Sequence, residues 1–374
     1  MKVFQKLTIV VLYSLFLGNC IRFKVENYKP DLISKIKIGE GLQFIEGSMV
    51  NNVITNIPVT IPVFSRRIFV TDFKNSMIKV FDFGGQLDYA IGNQPVKTQI
   101  KTKILPNKFG GLGFILPAEK DEIYVQNRIS AKDQLPKKTI KETPYTKYSG
   151  NFEVTEDGNI PSYIFKLNNK GATEYMIGVS GLNSEPFRYI EKIYAFDDGN
   201  LYAYHKVAEE MRLSHYVNGE LNSTLKEGGL SIFSGEDSKK YKIKIENMIP
   251  HGEDKYALVS ASYFNKNDYR FQFRRIYKYY YKNEKPETLL TEIQDPSEML
   301  FALKKNGEFY IWETEDNGNS VKLQVHNKEG NHVNNIRLSY TPPRGQWRET
   351  YTDQDDNIYS IRIRNGFLEI YQWK

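Results

Sequence analysis

Few side chains in this chain are spaced for catalysis or for binding a metal ion. The five histidines show no metal-site spacing and no His-Glu-x-x-His sequence occurs; they are His205, His215, His251, His326 and His332. His205 and His215 fall on opposite strands of one predicted hairpin, where they could approach each other, although exposed sheet positions are more common. The pattern predicts no catalytic residue, no metal site and no cofactor.

Three other short patterns also fall short of a reactive site. The glycine-rich residues 110–113 precede no predicted helix, so the N-terminus that would complete a phosphate cradle is not expected. Residues 228–231 lack the Gly-x-Ser-x-Gly order of a nucleophile elbow. The acidic residues 353–357 lack the sixth-position Gly and twelfth-position Glu of a calcium loop, so we interpret them as a tight turn.

Two polar segments combine aromatic with basic side chains and are the candidate binding face. They are residues 130–161 and residues 265–273. The candidate binding residues are Lys137, Lys138, Tyr145, Tyr148, Tyr269, Arg270, Phe271 and Phe273. Protein-binding patches are enriched in Arg and aromatic residues. The alternative is a solvated insertion whose aromatic rings pack back on the sheet.

The composition is that of a globular protein rich in β structure. The chain has 374 residues with 40% hydrophobic, 26% charged and 14% aromatic residues, which excludes wholesale disorder. The formal net charge is +6, and because basic and acidic residues alternate along the chain, it does not imply nucleic-acid binding. With one cysteine, Cys20, there is no intramolecular disulfide.

The first twenty residues predict export. Two lysines precede an apolar run at residues 7–17, roughly 16 Å long as a helix, too short to span a bilayer and typical of a signal peptide. Leu17, Gly18, Asn19 and Cys20 resemble the lipobox of bacterial lipoproteins, with Asn19 closer to the relaxed lipobox of spirochaetes. This resemblance implies lipidation of Cys20. The alternative is an ordinary signal peptide with an incidental cysteine.

Residues 67–92 contain a strand–turn–strand–turn–strand pattern. They resemble one blade of an NHL-type β-propeller, a unit that reads roughly V-x-D-x-x-N-x-x-I-x-V-F-x-x-x-G with an I-G ending. The matching positions are Val70, Asp72, Asn75, Ile78, Val80, Phe81, Gly85, Ile91 and Gly92. The resemblance implies an all-β propeller.

The pattern recurs more loosely along the chain. Second strands of successive units are predicted to begin near residues 68, 123, 201, 256, 309 and 358. Six units over this length fall in the range of longer propeller repeats. The sequence therefore predicts an all-β six-bladed β-propeller, with seven blades as the alternative.

Ring closure is predicted at the N-terminus. The last unit stops after three strands, while residues 32–39 end in the same Ile-Gly as the first unit, so this segment is expected as the missing outermost strand. The predicted organisation is a signal peptide at 1–19, a lipidated N-terminus and short tether at 20–31, and one propeller at 32–374.

Together the two resemblances are to leptospiral (spirochaetal) NHL-like propeller lipoproteins. They imply an exported, lipid-anchored protein, which we expect at the outer membrane on its periplasmic or surface face. The expected function is a non-enzymatic, monomeric binding scaffold that engages an envelope protein or polymer, with no nucleic acid. The alternative is a metal-dependent propeller hydrolase or lactonase with a site in the central channel.

Overall fold

The computed structural model describes residues 24–45, 48–50, 53–55, 61–72, 75–92, 103–118, 122–128, 161–196, 199–281, 287–341 and 347–374. Within these ranges the chain is built almost wholly of β-strands, which form six sheets of four or five strands and one small hairpin. The six sheets are the blades of a six-bladed β-propeller, as the sequence predicts, and the seven-bladed alternative is wrong.

The strands are numbered in chain order. The N-terminal region contributes β1 (Val25–Tyr28), β2 (Pro30–Lys37) and the hairpin of β3 (Ser48–Val50) and β4 (Val53–Thr55). Blade 1 contains β5 (Val63–Phe64), β6 (Arg67–Asp72), β7 (Met77–Asp82), β8 (Leu87–Gly92) and β9 (Lys103–Pro106); blade 2 contains β10 (Gly111–Pro117), β11 (Ile123–Arg128), β12 (Ser162–Leu167), β13 (Thr173–Gly178) and β14 (Gly181–Leu182); blade 3 contains β15 (Tyr189–Ala195), β16 (Asn200–Val207), β17 (Glu210–Val217) and β18 (Glu220–Lys226).

The second half of the ring follows the same order. Blade 4 contains β19 (Tyr241–Pro250), β20 (Tyr256–Asn265), β21 (Phe271–Tyr280) and β22 (Thr288–Ile293); blade 5 contains β23 (Met299–Leu303), β24 (Phe309–Glu315), β25 (Ser320–His326) and β26 (His332–Ser339); blade 6 contains β27 (Trp347–Thr352), β28 (Ile358–Arg364) and β29 (Phe367–Trp373). The second strands begin at or within one residue of their predicted starts.

Helical structure is short in the described part of the chain. The link from blade 3 to blade 4 contains two 3₁₀ turns, Glu227–Gly229 and Ser231–Phe233, and the five-residue helix α1, Glu236–Lys240. A further 3₁₀ turn, Asp316–Gly318, joins β24 to β25.

In each blade the first strand lies nearest the axis of the ring and the later strands follow outwards. The connections between successive strands therefore alternate between two faces of the ring. The turns between second and third strands and the links between blades lie on one face, here called the upper face. The turns that join first to second and third to fourth strands lie on the lower face.

Both sides of each blade are buried, which explains why the second strands are nearly continuous apolar runs. In β6, Ile68 and Val70 pack towards blade 6, while Phe69 packs towards blade 2. Six apolar clusters of this kind join each blade to the next all the way around the ring. Each fully buried aliphatic side chain contributes about 1.5–3 kcal/mol to the free energy of folding.

The N-terminal segment closes the ring as predicted. β2 pairs antiparallel with β29, with Lys37 opposite Phe367, and is the outermost strand of blade 6. The preceding β1, assigned to the tether from sequence, instead pairs parallel with β26 on the outer edge of blade 5. One stretch of chain therefore covers the edges of two neighbouring blades, which removes exposed strand edges.

A recurrent turn joins the third and fourth strands. In blades 1, 2 and 5 it spans residues 82–85, 168–171 and 327–330, and the glycine N–H donates to the carbonyl of the first residue at 2.8–3.0 Å. Gly85 has a φ of 76°, and a Cβ there would clash with the carbonyl oxygen of Lys35 in β2. Glycine is required at position 85 because this residue has a positive φ and lies against a strand of the preceding blade.

Candidate functional site

Within the described residues, the longest hairpin on the upper face belongs to blade 4. Its strands β20 and β21 have ten residues each, and a tight turn of residues 266–270 connects them. The N–H of Asn265 donates to the carbonyl of Arg270 at 2.9 Å, and Tyr269 adopts a φ of 56°. The loop predicted at residues 265–273 is thus shorter than expected, because Phe271 and Phe273 belong to the strand.

The tip of this hairpin presents an aromatic and a basic side chain to solvent. Tyr269 is 63% exposed and the Arg270 side chain is 82% exposed. The ammonium of Lys242 lies 5.0 Å from the centre of the Tyr269 ring, within the range of a cation–π contact. Tyr269 and Arg270, both predicted as binding residues, are therefore accessible at the tip of the hairpin.

Phe271 and Phe273 point to opposite sides of blade 4. Phe273 faces blade 3, where its ring centre lies 4.6 Å from that of Tyr263 and 5.1 Å from that of Tyr241. The Arg275 guanidinium covers the same ring at 4.5 Å. Phe273 therefore packs back on the blade. Phe271 faces blade 5.

The side of blade 4 that faces blade 5 carries a buried cation that the sequence analysis missed. Arg274 is only 7% exposed, and its Nε donates to the Oγ of Ser262 at 3.2 Å. Its Nη1 is buried without a hydrogen-bond partner. Ser260, two residues along the same side of β20, has a buried Oγ that also lacks a partner. Unpartnered buried donors are rare because each costs about 1–3 kcal/mol.

The facing side of blade 5 carries two carboxyl groups joined by one amide. The Gln324 Nε2 donates to Glu298 at 2.9 Å and to Glu313 at 2.8 Å. Burial and the charge of Glu313 raise the pKa of Glu298. Burial also acts to raise the pKa of Glu313, but hydrogen bonds from Lys322 and Gln324 outweigh it and lower that pKa. Glu298 is thus the member of the pair that more readily holds a proton.

These two sets of polar side chains face each other across the interface between blades 4 and 5. The charges of Glu246 and Glu298 act on the Arg274 guanidinium, while burial lowers its pKa. One feature of the sequence could have identified Arg274 as a buried cation. It lies two residues before Ile276 on the same side of the strand, and because Ile276 is fully buried, a charged side chain at position 274 is unusual.

The innermost strands line the axis of the ring and share an irregularity. Five of the six innermost strands described carry a register shift against the second strand. In blades 3 and 6, which lie opposite each other, Lys192 and Glu349 follow this shift, and their charges interact across the axis. Burial raises the pKa of Glu349 to about 7, partly offset by the charge of Lys192. The Glu349 Oε2 is buried without a partner.

Two of the histidines, His205 and His215, pack within blade 3. His205 and His215 are buried rather than exposed, and they do not meet. The His205 Nε2 lies 2.9 Å from the Ser214 Oγ, whereas the His215 ring stacks on Tyr202 with ring centres 4.2 Å apart. They lie on neighbouring strands, β16 and β17, and point to opposite sides of blade 3, both of which are buried, which explains the difference from expectation.

The acidic turn at residues 353–357 is a tight turn, as predicted. The Asp353 carboxylate accepts hydrogen bonds from the backbone N–H groups of Asp355 and Asn357, at 2.8 and 2.9 Å. Among the described residues, no three His, Cys, Asp or Glu side chains are grouped to hold a metal ion.

Several predicted residues lie outside the described ranges. They are the lipobox residues Leu17, Gly18, Asn19 and Cys20 and the blade 2 candidates Lys137, Lys138, Tyr145 and Tyr148. The segment with these blade 2 candidates joins β11 to β12, the second and third strands, as predicted. No helix in the described part of the chain has the length and apolar character to span a bilayer.

Comparisons with known proteins support no family assignment. No family model matches the chain, and no curated protein sequence matches it. Among solved structures, the WD40 domain of Toxoplasma gondii coronin has a TM-score of 0.39 and 9% identity, with 83% of this chain and 66% of that chain covered. A gluconolactonase from Xanthomonas campestris has a TM-score of 0.39 and 8% identity over 83% of this chain and 82% of that chain. A glucose dehydrogenase has a TM-score of 0.42 and 11% identity over 92% and 98%. These likenesses carry no argument about function.

Proposed function

We propose that this protein is a non-enzymatic, lipid-anchored binding propeller of the NHL-like type. In this proposal Cys20 tethers the chain to the outer membrane, and the upper face engages an envelope protein or polymer. The observation that supports it is the exposed tip of the blade 4 hairpin, where Tyr269 and Arg270 project from a rigid pair of strands. Tyr and Arg are the residue types that dominate binding energy at interfaces.

The site is tested by placing a photo-crosslinking amino acid at position 269 and, as a control, at position 328 on the lower face. Lys328 is exposed in the turn between β25 and β26. The proposal expects a specific adduct in intact envelopes from position 269 and none from position 328. Arg270→Ala should weaken that adduct, whereas Lys328→Ala should not. Equal adducts at both positions, or none at either, would contradict the proposed face.

The blade 2 segment is tested separately by deleting residues 131–160. The proposal expects a folded propeller with weaker crosslinking from position 269, because both segments belong to one face. Unchanged crosslinking would remove the blade 2 segment from the binding site.

The anchor is tested by Cys20→Ser. Lipid labelling should be lost, and the protein should move from the detergent phase to the aqueous phase. A wild-type protein that retains residues 1–19 and partitions into the aqueous phase would overturn the tether. Turnover of a lactone or ester by purified protein would favour the hydrolase alternative instead.

A further inference from the structure

The N-terminal segment is fixed to the ring from Lys24 onwards. The N–H of Asn335 donates to the carbonyl of Lys24 at 3.1 Å, and β1 then pairs residue for residue with β26. Tyr28 packs against the apolar cluster between blades 5 and 6. Lys29 and Lys374 exchange two backbone hydrogen bonds, at 2.9 and 3.2 Å. The ring therefore holds the chain along the whole of β1.

This attachment leaves only a short connection to the proposed lipid anchor. Four peptide units join Cys20 to Lys24, and they span at most about 14 Å when fully extended. The acyl chains of a lipidated cysteine insert into the bilayer, so Cys20 would lie at its surface. The edge of blade 5 at which β1 begins must then stay within that distance of the bilayer.

The direction of the strands defines which end of this edge carries the connection. β26 follows the lower-face turn at residues 327–330, so Val333, near its start, lies on the lower-face side. Because β1 is parallel to β26, its first residue, Val25, lies towards the same end. The chain thus joins the outer rim of blade 5 on its lower-face side, whereas Tyr269 lies at the tip of the upper face.

Two exposed valines lie at this end of the rim. Val25 is 42% exposed and Val333 is 44% exposed. Val333 is the extra residue of a bulge, where the register of β26 with β25 shifts by one residue. Contact with lipid would remove both apolar side chains from water. Charge does not direct this contact, because Lys24 pairs with Glu26 at 3.0 Å.

We propose that the lower-face side of the blade 5 rim, around Val25 and Val333, lies against the lipid bilayer. This inference rests on the lipid anchor of the proposed function and adds the orientation of the ring. The bilayer is the occupant of this surface because the connection to Cys20 reaches no further than about 14 Å. The upper face then does not lie against the bilayer, and Tyr269 and Arg270 remain accessible to a partner.

The test places a fluorescent label at single positions of the lipidated full-length protein, bound to phosphatidylcholine vesicles that carry a nitroxide quencher on some headgroups. Lipidation blocks the thiol of Cys20, the one cysteine of the sequence, so an introduced cysteine is labelled alone. Val333→Cys is the probe of the rim. Leu221→Cys, at a position that is 39% exposed on the outermost strand of blade 3, is the matched control. Tyr269→Cys reports on the upper face.

The proposal expects a loss of fluorescence at position 333 and a much smaller loss at positions 221 and 269. Equal or stronger quenching at either control position would place another surface against the bilayer and overturn the proposal. Bound protein with no quenching at position 333 would also overturn it.

A spacer variant tests whether the short connection sets the orientation. A flexible Gly-Ser spacer of about 20 residues, inserted between Phe23 and Lys24, adds a mean length of about 25 Å. The difference in quenching between positions 333 and 221 should then shrink. A difference of unchanged size would contradict the connection as the cause of the orientation.

The outcome is separable from that of the proposed function. Protein that carries no lipid would remove the anchor and this orientation together. Lipidated protein with quenching at position 333, but without a crosslink from position 269, would retain the orientation and remove the proposed binding face. A crosslink from position 269 without quenching at position 333 would retain the face and remove the orientation.

Discussion

The ammonium of Lys79 lies 2.7 Å from the carboxylate of Asp72, and both side chains are fully buried. Asp72 also accepts from the backbone and side-chain nitrogens of Asn75, at 3.0 and 2.9 Å. The Lys79 Nζ donates to the carbonyl of Phe44 at 2.7 Å. Asp72 and Asn75 are two of the repeat positions identified from sequence. The pair thus joins a blade 1 turn to the chain that arrives from blade 6.

Removing one member of this pair should be costly. Lys79→Met would leave the Asp72 carboxylate buried without its counter-ion, and we expect a loss of about 3–5 kcal/mol in the free energy of unfolding. The double variant Lys79→Met/Asp72→Asn should recover part of that loss, because no unpaired charge remains. Urea denaturation measures both. A single variant that loses under about 1 kcal/mol would show that the pair does not hold the closing segment.

The closing strand itself should contribute strongly to stability. Ile36 in β2 is fully buried between blades 6 and 1, whereas Leu32 in the same strand is 46% exposed. Ile36→Ala should lower the free energy of unfolding by about 2–5 kcal/mol, as expected for a buried aliphatic truncation. Leu32→Ala is the matched control and should cost far less. Equal effects at the two positions would show that ring closure does not depend on this packing.

The fold was predictable because its signals are local. Alternating apolar residues and turns of the type found at residues 82–85, 168–171 and 327–330 recur at a regular spacing, so the second strands could be placed within one residue. The strand β1 was missed because its four residues, Val-Glu-Asn-Tyr, carry little apolar pattern. Its partner is β26, about 300 residues further along the chain.

The candidate site was predictable only in part. The tip residues Tyr269 and Arg270 could be found because an exposed aromatic–basic pair is visible in sequence. The buried polar groups between blades 4 and 5 could not, because Arg274 and Glu298 interact electrostatically across a blade boundary, and the unpartnered Nη1 depends on side-chain register. Phe273 was interpreted as a contact residue, but a bulge at Gln272 turns it to the side of blade 4 opposite to that of Phe271, against Tyr263.

The buried histidines should destabilise the fold in acid. Burial, with the charge of Arg212, lowers the pKa of His205 from 6.5 to about 4, and burial with the charge of Lys255 does the same for His215. Because the unfolded state binds the proton more tightly, stability is complete above pH 6.5 and falls as the pH drops towards 4. Each histidine accounts for at most about 3 kcal/mol of this change in the free energy of unfolding.

The measurement is the free energy of unfolding at several pH values between 4 and 7.5. His205→Gln and His215→Gln should each flatten the acid side of this profile relative to their own value at pH 7.5. The double variant should flatten it further, since the two rings make no contact. A profile of unchanged slope in both single variants would contradict neutral burial of these rings.

Glu349 should produce the opposite pH dependence. Burial raises its pKa from 4.5 to about 7, with the charge of Lys192 acting against that rise. The folded state therefore holds the proton more tightly than the unfolded state. Below pH 4.5 Glu349 has no effect on the free energy of unfolding. Between pH 4.5 and 7 its ionisation lowers that free energy progressively, and above pH 7 the loss is complete, at most about 3 kcal/mol.

Replacing this carboxyl group isolates its effect from that of the histidines. Glu349→Gln should leave the free energy of unfolding unchanged at pH 4 and raise it at pH 8, by up to about 3 kcal/mol. Glu329→Gln, exposed on the lower face, is the matched control and should match wild type at both pH values. A Glu349→Gln variant that is less stable than wild type at pH 8 would show that the carboxylate stabilises the ring through Lys192. The Glu349 Oε2 would then have a partner in solution, and an ion pair between Glu349 and Lys192 would connect the innermost strands of blades 6 and 3.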